Sequence, residues 1–119
     1  MLPNEYRLKK RTAFNATYRT GTSFHKDGIT VFCGKTKTQD FPTKIGFVVS
    51  KKIHKRAVKR NRIKRLMRES VRLYIKNSEK TFDTKYMSLI FVASSKTLDK
   101  TFNEIDSSIK KIMKVINND

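Results

Sequence analysis

Apolar residues recur along this chain with two periods, and the switches between them outline its elements. Over Ala13 to Thr20 the spacing is helical, with Thr12 placed to cap the first turn and Gly21 to stop the last. From Ser23 to Lys35 it becomes an alternation, Ile29, Val31 and Cys33 against Thr30, Phe32 and Gly34. That predicts a strand, bulged or split at Asp27-Gly28. Lys35 to Thr43, carrying Pro42, reads as a loop. KIGFVVS, Lys44 to Ser50, is β-branched and apolar enough for a strand in a sheet interior. A long helix is predicted over Ala57 to Lys76, ended by Asn77-Ser78. At about 100° per residue, Ile63, Leu66, Met67, Ser70, Val71 and Tyr74 fall on one face, and Asn61, Lys64, Arg65, Arg68 and Arg72 on the other. KYMSLIFVAS, Lys85 to Ser94, predicts a further strand. The last helix opens with the capping-box spacing Thr101-x-x-Glu104 and carries Phe102, Ile105, Ile109, Ile112, Met113 and Ile116 on one stripe.

The order is an α+β two-layer sandwich, one sheet covered by helices, α-β-β(-β)-α-β-α with the optional strand arising from the split. No repeat, low-complexity tract or linker interrupts the 119 residues, which read as a single domain. An apolar content of 37% with eight Phe and four Tyr argues against disorder.

Charge changes the picture. A net charge of +18 disfavours compaction, and a polyanionic partner is the natural relief. The field is local: Lys51 to Lys76 holds twelve Lys or Arg against one acid, Glu69. A solvated helix would mix Glu with Lys for support at i,i+4, whereas here Lys64/Arg68 and Arg68/Arg72 repel. Arginine suits bidentate phosphate contact and stacking on bases. The basic helix therefore reads as a polyanion-binding face rather than a solvated one. A DNA-reading zipper would need leucine heptads after Arg72, and the chain gives Tyr74-Ile75-Lys76-Asn77 instead. A nuclear-import tag would not need an amphipathic helix. A membrane surface is disfavoured because the cationic face lacks apolar anchors. RNA is favoured by a second cluster, Arg7, Lys9, Lys10 and Arg11, that leads into Phe14 and Tyr18, one helical turn apart. Phe32 lies on the polar side of its strand. Aromatics beside a cationic groove suit single-stranded nucleic acid, although Phe14 and Tyr18 fit a core equally well by spacing.

Self-contained catalysis is not expected. His25 and His54 are far apart in sequence and neither sits with a carboxylate cluster, and no metal-ligand spacing, nucleophile elbow or phosphate loop is present. Cys33, the only cysteine, excludes an internal disulfide and reads as a small strand residue. MLPNEYRLKK is not a secretory signal, and the longest apolar run, Leu89 to Ala93, is too short to span a membrane. The expectation is a cytoplasmic chain.

The run RNRIKR, Arg60 to Arg65, followed by Arg68-Glu69, resembles the signature of the bacterial ribonuclease P protein component. RLKKRTAFNATYRTG, ITVF and GFVVSKK (Arg7 to Gly21, Ile29 to Phe32, Gly46 to Lys52) match that family in order. The resemblance implies a four-stranded sheet with a left-handed crossover through the basic helix, against the usual rule. It implies that a catalytic RNA subunit, using Mg²⁺, removes the 5′ leader of precursor tRNA, with no catalytic or metal-ligating residue on this chain and no obligate protein partner. RNA-subunit contacts then fall on Arg60, Asn61, Arg62, Lys64, Arg65 and Arg68, with Arg56 and Arg72 flanking them. The leader cleft falls on Phe14, Tyr18 and Phe32, lined by Lys51 and Lys52. Two features depart from the family: His54-Lys55-Arg56 stands where Gly-Asn is frequent, and Phe32 where tyrosine is common. A different-class alternative is a general or ribosome-associated RNA-binding protein without a processing role.

Overall fold

The computed structural model describes residues 4–37, 42–50, 52, 55–77 and 86–118. Asp27-Gly28 decides the first half of the sheet. Both residues have positive φ, 50° and 90°, as a tight two-residue hairpin turn requires. Of the two outcomes expected there, a bulge or a split, the strand from Ser23 to Lys35 is split, into β1 (Thr22–Lys26) and β2 (Ile29–Cys33), paired antiparallel. With β3 (Lys44–Val49) and β4 (Ser88–Ala93) they form one sheet in the order β1-β2-β4-β3. β4 runs antiparallel to β2 and parallel to β3. The expected start of that last strand, Lys85, lies outside the described residues.

Three helices cover the sheet: α1 (Arg11–Arg19), α2 (Ala57–Lys76) and α3 (Phe102–Asn118). α1 starts earlier than its apolar spacing predicts. Lys10 takes the cap position with extended backbone and no side-chain cap, so Thr12 lies inside the helix. The cause is tertiary, because the residues just before α1 are held against the outer edge of β3. Arg7 bridges to Ile45 and Leu8 N donates to Ile45 O at 2.9 Å, which also shields that edge from foreign pairing.

Alternation along the strands sends Ile29, Val31 and Cys33 of β2 and Leu89, Phe91 and Ala93 of β4 to one face, where all six are buried. There they meet Ile63, Met67 and Val71 of α2 and the Ile105, Ile109, Ile112, Met113 and Ile116 stripe of α3. Cys33 is a buried free thiol inside this core, as its strand position suggested.

The capping box of α3 forms as its spacing predicts: Glu104 Oε1 accepts from Thr101 N at 3.1 Å, and Glu104 N donates to Thr101 Oγ1 at 3.3 Å. The backbone N–H of Thr101, and then its hydroxyl, hold the Glu104 carboxyl below its ordinary value of 4.5. A depressed folded-state pKa gives stability that is full above the ordinary value and lost as pH falls through the folded one. Amide exchange in the first turn of α3 is therefore expected to quicken as pH drops from about 6 to about 3, beyond the intrinsic pH effect. Glu104→Ala should exchange fast throughout. Equal protection of the two proteins at neutral pH would contradict the cap.

Candidate nucleic-acid interface

α2 begins and ends where its apolar period predicted. Ile63, Met67, Ser70 and Val71 are buried, while Leu66 and Tyr74 pack half-buried against the core. The buried serine on that face is satisfied by α3, since Ser70 Oγ donates to Asp106 Oδ1 at 2.7 Å. On the other side Asn61 and Arg65 are exposed, and Lys64 and Arg68 are half-buried.

Two arginines depart from the uniformly open face expected of them. Arg72 donates from Nε and Nη2 to the Glu69 carboxylate at 3.0 and 2.6 Å. That hydrogen-bonded pair holds the Glu69 carboxyl below its usual range and the Arg72 guanidinium above its own. The one acid of the segment is thus committed to Arg72, which a docking polyanion would have to share. Arg62 turns away from the face toward the Leu98 and Lys100 carbonyls. Arg60 is half-buried, and its Nε has no hydrogen-bond partner.

The start of α2 is electrostatically unusual. Its cap, Arg56, makes no side-chain capping bond, and its first turn holds no acid. Cations there face the positive end of the helix dipole, an arrangement that an anionic ligand relieves.

α1 lies on the face of the sheet opposite α2 and α3. The Thr17 and Ser88 hydroxyls share a hydrogen bond of 2.5 Å, and Thr20 Oγ1 donates to Cys33 O. Tyr18 meets Phe32 edge-on, with ring centroids 5.1 Å apart at 73°. Burial raises the Tyr18 hydroxyl above its usual pKa, yet 38% of the residue remains exposed, enough to offer a ring edge. Phe14 lies directly on β3. A Cβ on Gly46 would come within 2.6 Å of Phe14 Cζ, so the missing side chain is what seats the ring. Beyond α1 the same sheet face continues through half-buried Thr30, Val48 and Val92.

These two surfaces approach each other around the edge of β3. A pocket of about 410 Å³ there is lined by Arg7, Lys9, Phe14, Gly46 and Arg68 among others. It joins one residue expected in the leader cleft, Phe14, to one expected on the RNA-binding helix, Arg68. Tyr18 and Phe32 lie outside it. Arg7 and Lys9, read from sequence only as part of a basic cluster, belong to its wall, and Gly46 could have been found as a lone glycine inside an apolar strand. A larger groove of about 760 Å³ between β1 and α3 contains none of the expected site residues. Lys52 is exposed. Lys51 and His54 lie outside the described residues, and His25 is exposed and bonded to Thr30. Among the described residues no three of His, Cys, Asp and Glu are grouped to hold a metal ion, and no helix is long and apolar enough to cross a membrane.

A cationic helix seated on one face of a four-stranded mixed sheet, with aromatics of a short helix on the other, defines a small basic α+β protein. The family model described as Ribonuclease P matches residues 2–117, and the chain belongs to the ribonuclease P protein family. The ribonuclease P protein component of Clostridium novyi (strain NT) is 35% identical over 114 residues, 96% of this chain and 95% of that one. Its counterpart in Clostridioides difficile (strain 630) is 37% identical over 107 residues, 90% of this chain and 88% of that one. The solved RNase P protein of Staphylococcus aureus superposes with a TM-score of 0.76 at 29% identity, covering 94% of this chain and 97% of that one. The Thermotoga maritima RNase P protein gives a TM-score of 0.73, covering 92% and 96%; at 23% identity it speaks to the fold alone.

Proposed function

We propose that this chain is the protein subunit of ribonuclease P, which binds the catalytic RNA and the single-stranded 5′ leader of precursor tRNA and promotes endonucleolytic removal of that leader. As a ribonuclease P protein component it is part of a ribonuclease holoenzyme. In this reading the RNA subunit performs the phosphodiester hydrolysis. Mg²⁺ held mainly by that RNA would supply charge neutralisation and an activated water.

One observation carries the reading: a rigid helix, locked to the sheet by a buried stripe, turns Asn61, Lys64, Arg65 and Arg68 outward with no acid bonded to any of them among the described residues. Arg60, Arg56 and Arg72 flank this set. Phe14, Tyr18 and Phe32 would stack on leader bases, at roughly 1–3 kcal/mol per base, with Lys51 and Lys52 drawing the phosphates along. The general RNA-binding alternative would use the same basic face and the same aromatics; what favours the processing role is the match to the ribonuclease P family over residues 2–117.

The two separate in one assay. Purified protein, added at low Mg²⁺ to cognate ribonuclease P RNA and a leader-bearing tRNA precursor, is expected to stimulate cleavage at the mature 5′ end. RNA binding with no stimulation at any protein ratio would leave the general RNA-binding reading in its place.

A further inference from the structure

Arg62 sits within the basic run, yet its side chain works elsewhere. It leaves α2 toward the segment joining a short 3-10 turn, Ser95–Thr97, to α3. There Nη2 donates to Lys100 O at 3.0 Å and Nη1 to Leu98 O at 3.4 Å. That segment is itself moored. Buried Thr97 donates from Oγ1 to Ser94 O at 2.8 Å, Ser94 N donates to Gly28 O at 2.8 Å, and Lys100 Nζ donates to Asp27 O at 2.7 Å. The two carbonyls thus belong to a platform fixed to the β1–β2 turn.

The part of α2 before Arg62 has little else to hold it. Ala57, Val58, Lys59 and Asn61 are exposed, with Val58 at 78%, and the first buried side chain is Ile63. No side-chain cap and no first-turn acid stabilise the terminus. Cations at the positive end of the dipole favour fraying of such a turn.

We propose that Arg62 is a positioning residue. It straps the first turns of α2 to the carbonyls of residues 98 and 100, so that Arg60, Lys64 and Arg65 meet the RNA in a fixed geometry, while Arg62 itself contacts no phosphate. The proposal rests on the reading of α2 as an RNA-docking helix. It departs from the expectation that every arginine in the run binds RNA.

A phosphate contact and a strap differ in how they respond to salt. Each neutralised phosphate contributes about 0.7–0.9 to the slope of log K against log salt concentration, whereas a strap contributes nothing. The experiment measures affinity for cognate ribonuclease P RNA across a KCl series, for the wild-type protein, Arg62→Ala, Arg62→Gln, Arg62→Lys and Arg65→Ala. Arg62→Ala is expected to bind roughly tenfold more weakly with an unchanged slope, and to exchange the amides of residues 58–62 faster. Arg65→Ala is expected to flatten the slope by one phosphate's share. Arg62→Lys keeps the charge but not the two-pronged donor, so it should stay close to Arg62→Ala in affinity. Should Arg62→Ala fail to fold, Arg62→Gln carries the slope comparison, because it too removes the charge. A slope flattened in Arg62→Ala or Arg62→Gln as in Arg65→Ala, or full recovery in Arg62→Lys, would overturn the role. Wild-type binding with no salt dependence would instead remove the RNA-docking reading on which it rests.

Discussion

Raising monovalent salt from about 50 to about 200 mM is expected to weaken binding to ribonuclease P RNA by roughly two to three decades, if about five phosphates are neutralised. The estimate follows from Lys64, Arg65 and Arg68, to which no acid is bonded among the described residues, together with Arg60 in the first turn of α2 and Arg56 at its cap. Arg72 is omitted because Glu69 already holds its fork, and Arg62 because two carbonyls do. The same salt should act oppositely on the free protein. A chain of net charge +18 repels itself, and screening over about 10 Å or less relaxes that repulsion. Melting of the free protein should therefore shift upward over the range in which RNA affinity falls. Filter binding or fluorescence titration across a KCl series reads the first effect, and thermal melts in the same buffers read the second. A binding slope shallower than about −2 would mean that fewer than three phosphates are met, and the face of α2 would not be the main docking surface.

Much of this was legible because it is periodic or local. The bounds of α2 follow from a stripe of apolar residues three and four apart, set against arginines on the opposite side. The α3 cap follows from the Thr101 to Glu104 spacing. Asp27-Gly28 carried a hairpin signal in two letters, and reading those letters as bulge-or-split left the right outcome as one of two. What stayed hidden is non-local. The bonds from Arg62 reach carbonyls 36 and 38 residues away, and no periodicity encodes them. The start of α1 depends on residues 7–8 lying along β3, and the insertion of β4 between β2 and β3 depends on the crossover through α2. The Arg72–Glu69 pair is local, but one acid among twelve cations is easily read as outvoted. Geometry rather than count gives it to Arg72: at i,i+3 the guanidinium reaches both carboxylate oxygens.

Phe91→Ala is expected to cost about 3–5 kcal/mol of folding stability, a large part of the roughly 5–15 that such a domain has. Phe91 is fully buried on a central strand, flanked by Val31 on β2 and Phe47 on β3. Its ring stacks on that of Phe47 at 5.7 Å and 17°. Truncation would open a cavity walled by the sheet and the helices on its core face. A drop in melting temperature of roughly 10–20 °C should result, while Phe91→Leu, nearer in volume, should lose about half as much or less. The effect should also depend on RNA. A ligand that binds only the folded state adds about 2.7 kcal/mol at a hundred times its dissociation constant. Saturating ribonuclease P RNA should then recover much of the lost melting temperature, and Arg65→Ala in the same background should blunt that recovery. Urea and thermal melts with and without the RNA measure both terms. A Phe91→Ala protein within about 1 kcal/mol of wild type would show that α2 is not held by this core, and the rigid seat on which its arginines depend would have to lie elsewhere.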